Sequence, residues 1–179
     1  MIKKVAAVVV TYNRKKLLVR CLDAIIKQSR KPDILFIIDN LSDDGTPQLL
    51  LDNKLINDIP SENPVENEFI KSEIVSSDGQ NIKLVYIRKA ENDGGAGGFY
   101  EGLKSAFESG ADWIWLMDDD GIPEKNQLKK LISGANSNLV DFANALVVNE
   151  KKKEELAFGL KKYKRVDEIN QELIIDHAN

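Results

Sequence analysis

The chain has 179 residues and a mass of 20.1 kDa; 42% of its side chains are apolar and 30% charged, with a formal charge of −4. That is roughly one domain's length with apolar material for a sizeable core, and the acidic balance excludes a general nucleic-acid binder that neutralises phosphates. One cysteine (Cys21) and one histidine (His177) exclude an internal disulfide and a Cys/His zinc site.

Residues 4–10 form a short β-branched run, the pattern of a strand buried on both faces. It is too short to span a membrane and lacks a signal-peptide pattern, so a soluble cytoplasmic domain is expected. Asn13 is placed to cap a helix over 15–29, where Leu17, Leu18, Cys21, Leu22, Ile25 and Ile26 share one face. Cys21 therefore reads as core. A second buried strand covers 34–38. Thr46 or Asp44 then caps a helix through Gln48 to Leu51.

Residues 57–81 are polar, contain Pro60 and Pro64 and show no sustained period, so they read as a surface insertion. A third strand is expected over 82–87. The glycine-rich stretch 92–98 follows, and then a helix through Tyr100, Leu103, Ala106 and Phe107. A fourth strand over 113–117 runs straight into Asp118, Asp119 and Asp120. Pro123 and Glu124 open a further helix through Leu128, Leu131 and Ile132, and 142–148 reads as another strand. Beyond Glu150, charge blocks alternate with short apolar pieces such as 173–175.

Strands alternating with helices predict an α/β fold with a mostly parallel sheet. Ligands of such sheets bind beyond the carboxyl ends of the strands. Asp39, the glycine cluster and the triple aspartate all fall at that edge.

Grouped carboxylates are costly without a compensating cation. On extended backbone Asp118 and Asp120 project to one side, a pair suited to Mg²⁺ or Mn²⁺ held together with substrate phosphates. The other reading is a solvated acidic turn before a helix. An EF-hand loop fails at Ile122. The glycines are either a flexible turn or a place where backbone approaches a ligand closely. They are not a dinucleotide fingerprint, since Tyr100 stands where glycine or alanine is needed. They are not a P-loop either, since Leu103 stands where lysine is needed. Asp39 either caps its turn or bonds a nucleobase or ribose. Arg14 has the chemistry to reach a diphosphate. His177 reads as a surface residue of the tail, and no Ser-His-Asp or Cys-His constellation can be assembled.

Four segments in order, 8–14 (VVVTYNR), 38–46 (IDNLSDDGT), 92–98 (NDGGAGG) and 115–120 (WLMDDD), resemble the family 2 glycosyltransferases with a GT-A fold. The glycine cluster with the triple aspartate is most similar to the rhamnosyltransferase and galactofuranosyltransferase branch. The resemblance covers about residues 3–135. It implies a GT-A, Rossmann-like, mostly parallel sheet flanked by helices, and an inverting transfer from a nucleotide-diphosphate sugar, UDP- or dTDP-linked, to a glycan or lipid-linked acceptor. Carried over by position, Thr11, Tyr12 and Arg14 line the nucleotide pocket and Asp39 contacts the base. Asn92, Gly94 and Gly95 border the nucleotide-sugar, and Asp119 faces the ribose or sugar. Asp118 and Asp120 hold a divalent metal, Mn or Mg. No transmembrane segment is expected, and the family adds a peripheral place at the inner membrane face for the full-length protein.

The branch's catalytic base and metal-site histidine lie well beyond its triple aspartate, and no matching arrangement follows Asp120. His177 is not equated with that histidine. The expectation is therefore a single GT-A nucleotide-sugar-binding domain over 1–179, cut short at its C-terminus and lacking the base. A non-catalytic nucleotide-diphosphate-binding module is the alternative. A sugar-nucleotide nucleotidyltransferase is disfavoured, because its loop after the first strand is glycine-rich whereas this one reads Thr-Tyr-Asn-Arg.

Overall fold

The computed structural model describes residues 3–138, 140–160 and 163–166. The chain divides into two compact units, Met1–Lys130 and Leu131–Asn179. The tail pieces singled out above, 173–175 and His177, lie outside the described residues.

The first unit is built on a five-stranded sheet of β1 (Val5–Thr11), β2 (Ile34–Asp39), β3 (Glu68–Val75), β4 (Asn81–Arg88) and β5 (Trp113–Asp118), in the order β3-β4-β2-β1-β5. β1 (Val5–Thr11) and β2 (Ile34–Asp39) are buried along their whole length, as continuous apolar runs between two layers must be. β2 pairs in parallel with β4 (Asn81–Arg88), and β1 with β5 (Trp113–Asp118). The register aligns the ends: Thr11 stands opposite Asp39, Asp39 opposite Arg88, and Val10 opposite Asp118.

Side-chain alternation sorts the core into two layers. Ala7, Val9, Leu35 and Ile37 pack with Leu18, Cys21, Leu22 and Ile25 of α1 (Lys15–Ile26), and with Leu50 of α2 (Thr46–Asp52). Each large aliphatic side chain fully buried here contributes roughly 2 kcal/mol. Ala6, Val8, Val10, Phe36 and Ile38 pack on the opposite face with Ala106 of α3 (Gly94–Glu108).

Three sequence expectations change in this unit. Residues 57–81 contain a strand, β3 (Glu68–Val75), antiparallel to β4. Its alternation is that of a half-buried edge strand, with Ile70 and Ile74 packed on the core and Phe69, Lys71 and Val75 exposed. The helix expected after the glycine cluster begins inside it, at Gly94. The cap expected from Asn13 also falls elsewhere: Asp44 Oδ2 accepts the Lys15 N–H at 3.1 Å, and its Oδ1 accepts the Thr46 N–H at 3.1 Å. Asn13, at φ 55°, instead exchanges hydrogen bonds with Asp43.

α4 (Gln127–Asn138) starts later than its proline suggested. Gln28, fully buried at the end of α1, fixes the approach to it. Its amide donates to the Glu124 carbonyl at 2.8 Å and accepts the Leu128 N–H at 3.1 Å. The second unit holds a hairpin of β6 (Glu155–Leu160) and β7 (Tyr163–Arg165). The strand expected over 142–148 is reduced to one bridge, Val148 to Leu156. Phe142 and Leu146 are exposed, and no layer covers this run among the described residues. No described helix is long and apolar enough to cross a membrane.

Candidate active site

The carboxyl ends of β1, β2, β4 and β5 gather every chemically unusual segment of the first unit. β5 ends at Asp118, and the chain turns at once, the Gly121 N–H donating to the Asp118 carbonyl at 3.1 Å. The extended backbone expected over 118–120 therefore stops at Asp118. Asp119 turns inward and is only 3% exposed, whereas Asp118 and Asp120 face solvent.

Asp119 is held by the end of β1. Thr11 Oγ1 donates to Asp119 Oδ2 at 2.7 Å. Arg14 Nη1 reaches Asp119 Oδ1 at 3.4 Å and Asp120 Oδ2 at 3.3 Å. Burial pushes the Asp119 carboxyl above the usual carboxylate range, against the opposing pull of Thr11 and Arg14. Beneath this corner, Cys21 Sγ lies 3.8 Å from the Asp118 carbonyl oxygen. Burial first, then the nearby carboxylates, push its thiol up to about 12, so it is an inert core group.

Asp39 is fully buried. Its Oδ1 accepts the Ser42 N–H at 2.8 Å, and its Oδ2 accepts from the Tyr86 hydroxyl and, at 3.2 Å, from Arg88 Nη1. Burial, then the adjacent Asp39 charge, raise the Tyr86 phenol, which stays a neutral donor. Tyr86 and Arg88 were not singled out in the sequence. Their signal is a tyrosine and an arginine two apart in the buried second half of β4, and hence on one side of it. Tyr12 follows β1 with its ring 46% exposed.

The glycine cluster divides by function. A Cβ on Gly98 would stand 2.5 Å from Val10 Cγ1, and one on Gly102 2.3 Å from Val8 Cγ1. These two glycines let α3 lie directly on β1. A Cβ on Gly97 would collide with the Asp93 carboxylate, which pairs with the buried Lys89. Gly94 adopts φ +77° to start the helix, and its N–H is taken by Asn92 Oδ1 at 2.9 Å. Gly95 alone of these has neither a close neighbour nor a positive φ. It leaves the helix N-terminus open beside the site, and Asn40 braces that terminus by donating to the Gly94 carbonyl at 3.0 Å.

A hard divalent cation takes oxygen ligands, carboxylates above all. Asp118 and Asp120 offer two exposed carboxylates, and no third ligating side chain joins them among the described residues. Such a cation normally completes its shell with water and phosphate oxygens.

A model of the family described as glycosyl transferase family 2 matches residues 6–63 and 68–175. The galactofuranosyltransferase GlfT1 of Mycolicibacterium smegmatis is 37% identical over 159 residues, which is 88% of this chain and 44% of that protein. GlfT1 of Mycobacterium tuberculosis is 34% identical over 163 residues, 90% of this chain and 45% of that protein. The chain thus spans less than half the length of these curated relatives. Among solved structures, S. aureus TarS 1-349 in complex with UDP-GlcNAc aligns with a TM-score of 0.53 at 19% identity, covering 77% of this chain and 32% of that one. The same protein in complex with UDP aligns at 0.51 and 20% identity, covering 77% and 33%. The fold is shared.

Proposed function

The chain belongs to glycosyl transferase family 2, and on that premise we propose that it carries the donor side of an inverting, metal-assisted glycosyltransferase of cell-surface glycan synthesis. The donor is a nucleotide-diphosphate sugar, UDP- or dTDP-linked, and the acceptor a glycan or lipid-linked saccharide. Two relatives named galactofuranosyltransferases make a galactofuranosyl donor the first to test. The observation that carries the reading is the cluster of Thr11, Arg14 and Asp119, flanked by the exposed Asp118 and Asp120, at the ligand-binding edge of the sheet.

Each residue has a task in this scheme. Arg14, half exposed, turns from its aspartates to the diphosphate, for which its planar fork is suited. Tyr12 offers its exposed ring to the base, and Asp39 sets the floor beneath it. The open N-terminus of α3 at Gly95, with Asn92 and Gly94, borders the sugar and its phosphates. Asp119 accepts from ribose or sugar hydroxyls. A divalent cation, Mn²⁺ or Mg²⁺, held by Asp118 and Asp120 would neutralise charge growing on the departing diphosphate.

Calorimetric titration with UDP, dTDP and GDP, with and without Mn²⁺, tests this. Metal-dependent binding of a uridine or thymidine diphosphate, abolished in the Asp118→Asn/Asp120→Asn double variant, is expected. Failure to bind any of them, or binding indifferent to metal and to the double variant, overturns it.

A further inference from the structure

The geometry points to Arg88 as a positioning residue that sets the nucleoside end of the donor site, and that ties the 61–62 segment to it. This rests on the donor-site reading above.

Arg88 is 4% exposed, and every nitrogen of its guanidinium is engaged. Nη1 donates to Asp39 Oδ2 at 3.2 Å and to the Ser42 carbonyl at 2.9 Å. Nε donates to the Ser61 carbonyl at 3.0 Å and Nη2 to the Glu62 carbonyl at 2.9 Å. One carboxylate would suffice to neutralise the charge. The three carbonyls come from two separate loops and serve to hold those loops at fixed distances from β4.

From Ser42 the connection runs directly to the site. Ser42 Oγ accepts the Asn13 N–H at 3.0 Å, and Asn13 lies between Tyr12 and Arg14 at φ 55°. A displaced Ser42 therefore releases the backbone turn that aims the Tyr12 ring, while the Arg14 guanidinium stays held from the other side by Asp119 and Asp120. The metal corner is anchored differently, through Thr11 and Asp119. Loss of Arg88 should loosen the nucleoside end and leave the phosphate end intact. This residue touches no ligand itself; it acts through Asp39, Ser42 and Asn13.

Two variants separate charge from geometry. Arg88→Lys keeps a cation beside Asp39 but cannot reach three carbonyls at once. Arg88→Met also removes the charge and leaves Asp39 buried without its counter-ion. The probes are UDP with Mn²⁺, and inorganic pyrophosphate with Mn²⁺, titrated against the same chain. We expect UDP affinity to fall about tenfold in Arg88→Lys and further in Arg88→Met, with pyrophosphate affinity within about twofold of the parent. Amide exchange is read in parallel. It should accelerate at residues 12–14 and 42 in both variants and stay unchanged at 118–120. Equal loss of UDP and pyrophosphate binding, or unchanged exchange at 12–14 in Arg88→Lys, overturns the inference. If the parent chain binds no nucleotide, the donor-site reading falls, and the exchange pattern alone decides whether Arg88 positions this loop.

Discussion

Thr11 Oγ1 and Asp119 Oδ2 meet at 2.7 Å, joining the ends of β1 and β5 across 108 positions of sequence. The bond holds a buried carboxylate in place, and removing its donor leaves that oxygen unpaired. Thr11→Val should cost about 2 kcal/mol of stability. The Asp119 carboxyl, already raised by burial, should move higher still, because the Thr11 hydrogen bond opposes that rise. Urea unfolding gives the first quantity, and carboxyl-carbon NMR titration the second.

The glycines of α3 should separate cleanly. Gly98→Ala and Gly102→Ala force a methyl group onto Val10 and Val8 and should each cost about 1–3 kcal/mol. Gly95→Ala meets nothing and replaces a poor helix former, so its stability should be unchanged or raised by under about 1 kcal/mol. If the open helix terminus receives the donor, the same variant should weaken UDP binding. Thermal melts and calorimetry read the two effects independently.

Lys31, nearly buried, pairs with Asp78 at 2.5 Å. The Lys31 hydrogen bond, with that of Ser76, holds the Asp78 carboxyl down to about 2, against an ordinary value of 3.8. A depressed carboxylate contributes stability that is fully present above its unfolded value and is lost as pH falls through its folded value. Asp78→Asn should therefore be less stable than the parent at pH 5, and the gap should close between about pH 4 and pH 2. A gap that persists at pH 2 contradicts this.

Cys21 should be silent towards thiol reagents at pH 8 in the native state. Its burial and its raised thiol, near 12, both suppress the thiolate. It should react in full once the chain is unfolded in guanidinium chloride. Rapid native labelling would show that α1 opens beneath the aspartate corner.

Much of this architecture is written in local patterns. The runs over 5–10 and 34–38 are apolar at every position, and only strands covered on both faces need that. Asp39 and Asp118 stand at the ends of apolar runs, so their place at the carboxyl edge of the sheet was legible too. The alternation of Glu68–Val75 was also present, but the prolines and polar residues ahead of it masked an edge strand with one wet face. The start of α3 was hidden because glycine disfavours helix locally. The gain that outweighs this is tertiary: Gly98 and Gly102 bring the helix onto Val10 and Val8, contacts no local window contains. The same holds for Arg88, whose partners at 39, 42, 61 and 62 come together only when β4 lies beside β2.

Asp44 gives its two carboxylate oxygens to the first turns of two different helices, one to Lys15 and one to Thr46. Neither helix can fray at its N-terminus without taking the other's cap with it. The amides of α1 and α2 at these ends should therefore exchange with solvent through one shared opening event rather than two. The loop bearing Asn40, Ser42 and Asp43 lies between those helices in sequence and leads directly into Asp44. Its mobility is thereby coupled to the cooperative unfolding of the layer below, and this edge of the sheet keeps its shape for as long as that layer does.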